Sequence, residues 1–167
     1  MNIQRYALGG EQAEHLQSTF TKVLDGCRVH TIRSTGARHG VIDGSGCYVW
    51  VMRLNSSSYT VYVGRTSSIV RRVNDYSGDF QVQSPNDFKM RLVEEALSER
   101  FPDAVFDLYF APVSLAECNA QEKALIAKFR PLVNSFPKPT PEERELVERA
   151  YRTFYRAVIS RHLSDDN

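Results

Sequence analysis

The residues from Gly46 to Tyr76, GCYVWVMRLNSSSYTVYVGRTSSIVRRVNDY, constrain the fold of this chain more than any other stretch. Tyr48 to Leu54 is almost unbroken in β-branched, aromatic and other apolar side chains, the composition of a strand covered on both faces. Asn55 to Ser58 carries turn chemistry and Tyr59 to Val63 resumes the strand pattern, so the two strands are close enough in sequence to pair antiparallel. Gly64 then breaks the run. Ser67 or Ser68 can cap a helix in which Ile69, Val73 and Tyr76 recur at helical spacing. The stretch therefore reads strand, turn, strand, helix.

With 167 residues, 42% of them hydrophobic, the chain is long enough for one domain with a sizeable core and short for two, so residues 1–167 are read as a single domain. The net charge is +1, so a nucleic-acid partner would have to be met by a local patch rather than by the whole surface. Cys27, Cys47 and Cys118 have neither metal-ligand spacing nor an even count, and each reads as a small buried hydrophobe in a reduced, cytoplasmic setting. The N-terminus lacks a signal-peptide core, and no run approaches the roughly 18 apolar residues of a membrane span. No membrane partner is expected.

N-terminal to the organising stretch, Glu11 to Leu24 places Leu16, Phe20, Val23 and Leu24 at helical spacing and is expected to form a first helix. From Gly26 to Ile42 there is no acidic residue, while Arg28, Arg33 and Arg38 alternate with His30 and His39 among Gly, Ser and Thr. Such a segment suits a strand and loop that touch a phosphate backbone, or an ordinary solvated connection. No two histidines have metal-ligand spacing.

C-terminal to it, a helix is expected from about Pro85 to Arg100, with Phe88, Leu92, Ala96 and Leu97 as its apolar stripe. Val105 to Val113 reads as a third strand, apolar enough to be central. Ser114 and Glu117 have capping-box spacing for a helix running to about Phe129, whose apolar face is Cys118, Leu125, Ile126 and Phe129. At about 100° per residue, Glu122 falls in the middle of that face. A carboxylate there must be paired, bound to a metal or set at the edge of a cleft, because burying it bare costs several kcal/mol. Lys128, Arg130 or a neighbouring strand could supply the pairing cation. Arg130-Pro131 ends the helix. Asn134 follows in an irregular segment before Pro137 and Pro139, where its amide can bond to backbone and hold a strand or the glutamate in place. Thr140, Pro141 and Glu143 supply N-cap, N1 and capping box of a last helix, whose arginine-rich C-terminal half suits the helix dipole or a nucleic acid.

Gly46-Cys47-Tyr48 and Tyr62-Val63-Gly64, one triplet on each paired strand, are followed by Arg72 and Tyr76 one helical turn apart, then by Glu122 and Asn134. In that order and on those elements the chain resembles the GIY-YIG nuclease family. The resemblance spans Gly46 to Asn134, about half the chain. It implies an α/β (α+β) fold: a small, mainly antiparallel three-stranded sheet flanked by helices, with extra N- and C-terminal helices. Residues 46–134 would be the nuclease core, 1–45 an N-terminal extension and 137–163 a C-terminal helix. Cys47 and Val63 replace the family's isoleucines, and the connection between the tyrosine triplets is a few residues longer than usual, which bears on the register of Tyr62.

What the resemblance implies chemically is a metal-dependent DNA endonuclease. Glu122 would bind one Mg²⁺ or Mn²⁺, and Arg72 would hold the scissile phosphate. Tyr48 would position or deprotonate the attacking water, with Tyr62 hydrogen-bonded nearby and Tyr76 near the phosphate or leaving group. Arg65 would add a phosphate contact, while Gly64 and Asn134 support the architecture; Arg71, Arg33 and Arg38 are expected at the phosphate backbone from their local charge and not from the resemblance. A restriction or defence setting suits a compact chain that cuts both strands as a homodimer. The competing expectations are a nucleic-acid-binding module that cleaves nothing, a nuclease for structured DNA or RNA, and a toxin nuclease.

Overall fold

A computed structural model of the chain describes residues 2–27, 42–77, 85–136 and 140–165, with the side chains of 74–77, 85–92, 154, 155 and 157–165 outside that description. The basic segment carrying Arg33 and Arg38 lies outside the described residues, as does the side chain of Tyr76. A 3-10 turn at Ile3–Tyr6 is followed by α1 (Gly10–Thr19), β1 (Thr21–Cys27), β2 (Gly46–Leu54), β3 (Ser57–Thr66), α2 (Ile69–Ser77) and α3 (Pro85–Arg100). Then come β4 (Val105–Pro112), α4 (Cys118–Phe129), a second 3-10 turn at Val133–Ser135 and α5 (Pro141–Asp165). Among the described residues no helix is long and apolar enough to cross a membrane.

The mixed α/β class holds, but the sheet has four strands rather than three. All pair antiparallel, in the order β1-β4-β2-β3. The additional strand is β1: the helix expected from Glu11 to Leu24 stops at Thr19, and the chain turns into a strand against β4. Leu16, Phe20, Val23 and Leu24 are all buried, as the helical reading required, yet spacing alone did not decide between a helix and an irregular strand. Register shifts between Lys22 and Leu24 and again between Leu24 and Cys27 spoil the alternation that would have marked β1 as a strand.

Both faces of β2 are covered, which is why its sequence is apolar without alternation. Tyr48, Trp50 and Met52 share one core with Phe106, Leu108 and Phe110 of β4, Ile69 and Val73 of α2 and Leu97 of α3. Cys47, Val49 and Val51 share the other with Leu16 of α1 and Leu125 and Phe129 of α4. Two helix ends form as their caps dictate. Ser68 Oγ accepts from Arg71 N at the start of α2, and Thr140 and Glu143 exchange side-chain bonds to each other's backbone N–H at the start of α5. The box expected for α4 does not form: Ser114 donates its hydroxyl to the Glu117 carboxylate, and the helix begins only at Cys118.

β3 is the outermost strand on its side, and its free edge is occupied. Leu8 N donates to Ser58 O at 2.8 Å and Leu132 N to Thr60 O at 3.1 Å, so the edge groups that would otherwise template another strand are used internally. Near the far end of β2 from Tyr48, Asp107 of β4 is fully buried. Its carboxylate takes Lys22 Nζ at 3.0 Å and Arg53 Nε at 2.9 Å, and accepts from Gly26 N at 2.8 Å. Asp25 completes the cluster by pairing with the same two cations. Lys22 and Arg53 are partly exposed and keep Asp25, so Asp107→Ala strands no buried charge and is expected to cost about 1.5–3 kcal/mol of stability, the range for lost hydrogen bonds to a charged group. Urea denaturation measures this, and a loss below about 1 kcal/mol would mean that solvent reaches the cluster.

Candidate active site

The two tyrosine triplets are brought together by a register irregularity. Tyr48 pairs with Gly64 and Trp50 with Tyr62, but Val51 pairs with Thr60, so Val61 is an extra residue in β3. Strand alternation continued straight from Met52 opposite Tyr59 would have put Tyr62 on the other face from Tyr48. The bulge restores it. The rings of Tyr48 and Tyr62 end with centroids 6.0 Å apart, tilted by 53°. The connection that looked long in sequence is only Asn55 and Ser56, with Asn55 left-handed at φ 54°, since Ser57 and Ser58 already belong to β3.

Both glycines of the triplets are used for close approach. A Cβ on Gly64 would lie 2.5 Å from the Tyr48 hydroxyl oxygen and 2.8 Å from Cε1 of Tyr62, so only glycine lets the Tyr48 ring lie across β3. A Cβ on Gly46 would strike Ala111 O and the Phe110 ring, which fixes how tightly β2 meets β4. Tyr48 is thus an almost fully buried ring whose hydroxyl reaches the outermost strand.

The next residue after Gly64 faces the opposite side of the sheet. Arg65 lies across from Cys47, and its Nε is 3.1 Å from Oε2 of Glu122 on α4. Cys118, Leu125 and Phe129 are buried and carry α4 onto the sheet, so Glu122 sits within the apolar face as its spacing indicated, with its side chain 20% exposed. Burial raises the Glu122 pKa above the ordinary glutamate range, and the charge of Arg65 offsets only part of that. Cys47 is pushed up to about 12, first by burial and then by Cys118 and Glu122, so its thiol stays neutral beside them.

α2 stands on the Tyr48 side. Ile69 and Val73 enter the core that holds Tyr48 and Trp50, which leaves Arg72 half-buried next to them with its Nε shielded from solvent. Arg71 is exposed and donates to Ser67 Oγ. Tyr76 lies four residues after Arg72 on the same helix. Asp43, which the sequence did not single out, closes the N-terminus of α2 by accepting from Ser68 Oγ and Val70 N, bonds that hold its carboxyl below the ordinary range. Asn134 grips β3 from outside: its Nδ2 donates to Val63 O and its Oδ1 accepts from Val63 N, both at 2.9 Å. The side-chain amide thereby stands in for a partner strand next to Tyr62.

The residues fall into two groups at one end of the sheet. Tyr48, Tyr62, Gly64 and Arg72 lie on the α2 side, while Arg65 and Glu122 meet on the α4 side, and the Gly64-Arg65 step joins the groups. Arg33 and Arg38 lie outside the described residues. A hard divalent ion that keeps most of its waters needs only one or two protein oxygens, and Glu122 fits that demand. Among the described residues no group of three or more His, Cys, Asp or Glu side chains is arranged to hold an ion. The Asp107 cluster was also missed. Its signal was present, a lone Asp inside an apolar strand and a lone Arg near the end of another.

Removing the Asn134 amide leaves two backbone groups of Val63 without partners, so Asn134→Ala should lower stability by about 2 kcal/mol in chemical denaturation. Asn134→Asp should lose at least as much, since it keeps an acceptor for Val63 N but sets a carboxylate oxygen against Val63 O. Followed by carboxyl-carbon NMR, Glu122 should titrate above an ordinary glutamate, and higher still in Arg65→Ala, where the lowering charge is gone. Glu122 therefore stays protonated, and less able to bind a cation, to a higher pH than a surface glutamate; a midpoint at the ordinary value would contradict the burial. In comparisons with protein-family models, curated proteins and solved structures, nothing matches this chain.

Proposed function

We propose that the chain is a divalent-metal-dependent phosphodiester hydrolase of the GIY-YIG type that acts on DNA. The observation that supports this most is the convergence at the Gly64-Arg65 step, where Tyr48 and Tyr62 crowd one side of the outermost strand and Arg65 meets Glu122 on the other. Apolar packing alone would not demand a partly buried carboxylate, a glycine under a tyrosine ring and a half-buried arginine at one end of a sheet.

Glu122 would hold one Mg²⁺ or Mn²⁺ through a single carboxylate. Bound there, the ion would neutralise charge developing on the phosphate and hold the leaving oxygen. Arg72 would take a non-bridging oxygen of the scissile phosphate, bidentately where the approach permits. Tyr48 would orient or deprotonate the attacking water, with Tyr62 against its ring. A free tyrosine has a pKa of about 10, so Tyr48 can act as a base near neutrality only if nearby cations lower it. Tyr76 would stand near the phosphate or leaving group, and Arg65 and Arg71, with Arg33 and Arg38, would contact the flanking backbone. These contacts add affinity without reading sequence.

Cleavage of supercoiled plasmid and linear DNA by the purified full chain, in Mg²⁺ or in EDTA, tests the reading. Mg²⁺-dependent cutting is expected, reduced about 100-fold or more in both Glu122→Gln and Arg72→Ala, the size of effect seen when one transition-state contact is lost. Discrete fragments would identify a sequence-specific, restriction-type enzyme and a smear a nonspecific one. DNA bound but never cut would leave a binding module, and cutting that survives Glu122→Gln would sink the proposed site.

A further inference from the structure

We propose that Arg65 is a place-holder for the cation at Glu122. It neutralises that carboxylate in the metal-free protein and is displaced onto the phosphate backbone of the nucleic acid when the divalent ion binds. The inference rests on the metal-dependent reading and adds a coupling to it: one guanidinium serves two anions in turn, so metal and DNA binding reinforce each other.

The geometry points to exchange rather than to a permanent pair. Glu122 is the fixed member, 20% exposed on a helix anchored by Cys118, Leu125 and Phe129, and Arg65 is the free one, its side chain 50% exposed on the outermost strand. Among the described residues Arg65 is the only base within ion-pair distance of Glu122, and Glu122 the only acid within that distance of Arg65. A partly buried carboxylate is ionised more readily beside a cation, because burial disfavours its charged form. A divalent ion on the same carboxylate would place two like charges within a few ångströms, so the guanidinium, which has no deprotonated form near neutrality, must leave. Among the described residues no second carboxylate lies within ion-pair distance of it, and it stands one residue from the glycine beneath the Tyr48 hydroxyl. The anion left for it is the substrate phosphate. Arginine suits this role, since its planar fork fits carboxylate and phosphate alike.

By linkage, whatever factor the metal adds to DNA affinity the DNA adds to metal affinity. Binding of Mn²⁺ alone to the full chain, followed by electron paramagnetic resonance of the free ion, provides a readout independent of cleavage. At a pH above the Glu122 midpoint of every variant, Arg65→Ala and Arg65→Gln should bind Mn²⁺ about fivefold more tightly than the unaltered protein, the scale of a lost half-exposed ion pair. Arg65→Lys, which restores the competing charge, should return toward the original affinity. In a second arm, Ca²⁺ should strengthen binding of a DNA duplex to the unaltered protein, and that increment should shrink toward one in Arg65→Ala. Mn²⁺ taken up by the unaltered protein and lost in Glu122→Gln, but no tighter in either Arg65 variant, would overturn the exchange and leave the metal site standing. Equal uptake by Glu122→Gln, or no uptake at all, would remove the metal site itself.

Discussion

The structure depends on how β3 is held in register. An outermost strand is fixed on one side only, and a slip of one residue would exchange its buried and exposed faces. Three features prevent the slip. The bulge at Val61 lets Tyr59 and Tyr62 both face the Tyr48 side. The segment after α4 then bonds to β3 on either side of that bulge, through Leu132 at Thr60 and Asn134 at Val63. The turn in front of this segment is made by Arg130, left-handed at φ 46°, so the chain leaves α4 and lies down along the strand edge. Register, bulge and amide clamp are one device.

Alternation along that strand then distributes the chemistry. Gly64 and Arg65 are consecutive and so face opposite sides, the first beneath Tyr48 and the second against Glu122. A tyrosine hydroxyl and a carboxylate supplied by helices and strands on different layers are thereby brought to the same strand end without sharing a core. Each side carries a cost that packing alone would avoid: glycine gives up side-chain contacts in mid-strand, and burial at Glu122 disfavours its charged form. Sites that depart from the local rules of stability in this way are where function is expected.

Stability is supplied elsewhere. The Asp107 cluster ties β1, β2 and β4 near the opposite end of β2, and it is internally neutral, with Lys22 and Arg53 answering Asp25 and Asp107. Its partners raise the pKa of Arg53 and lower that of Asp25, the directions expected when each charge is stabilised by its neighbours. It also explains why an irregular β1 stays on the sheet: the strand holds on through charges as well as through Val23, Leu24 and Cys27.

The amino-acid sequence by itself determined the hairpin, the helix that follows it, the strand Val105–Pro112, the boundaries of α3, the capped start of α5 and the oddity of Glu122, because each is carried by local pattern, caps and breakers. It also placed Tyr48, Tyr62, Gly64, Arg72 and Asn134 on recognisable elements. Only the tertiary structure decided that Thr21–Cys27 is a strand, since Val23 and Leu24 fit a helix stripe until β4 offers them partners. Only it decided which face Tyr62 takes, since a bulge leaves no mark in hydrophobic periodicity. Likewise, of the sources open in sequence, Lys128, Arg130 or a neighbouring strand, it is the strand that supplies the cation beside Glu122, as Arg65, 57 positions back in the chain. Short-range pattern records which residues want to be buried. Which of them meet is set by strand pairing between segments far apart in sequence, and that is information no single window contains.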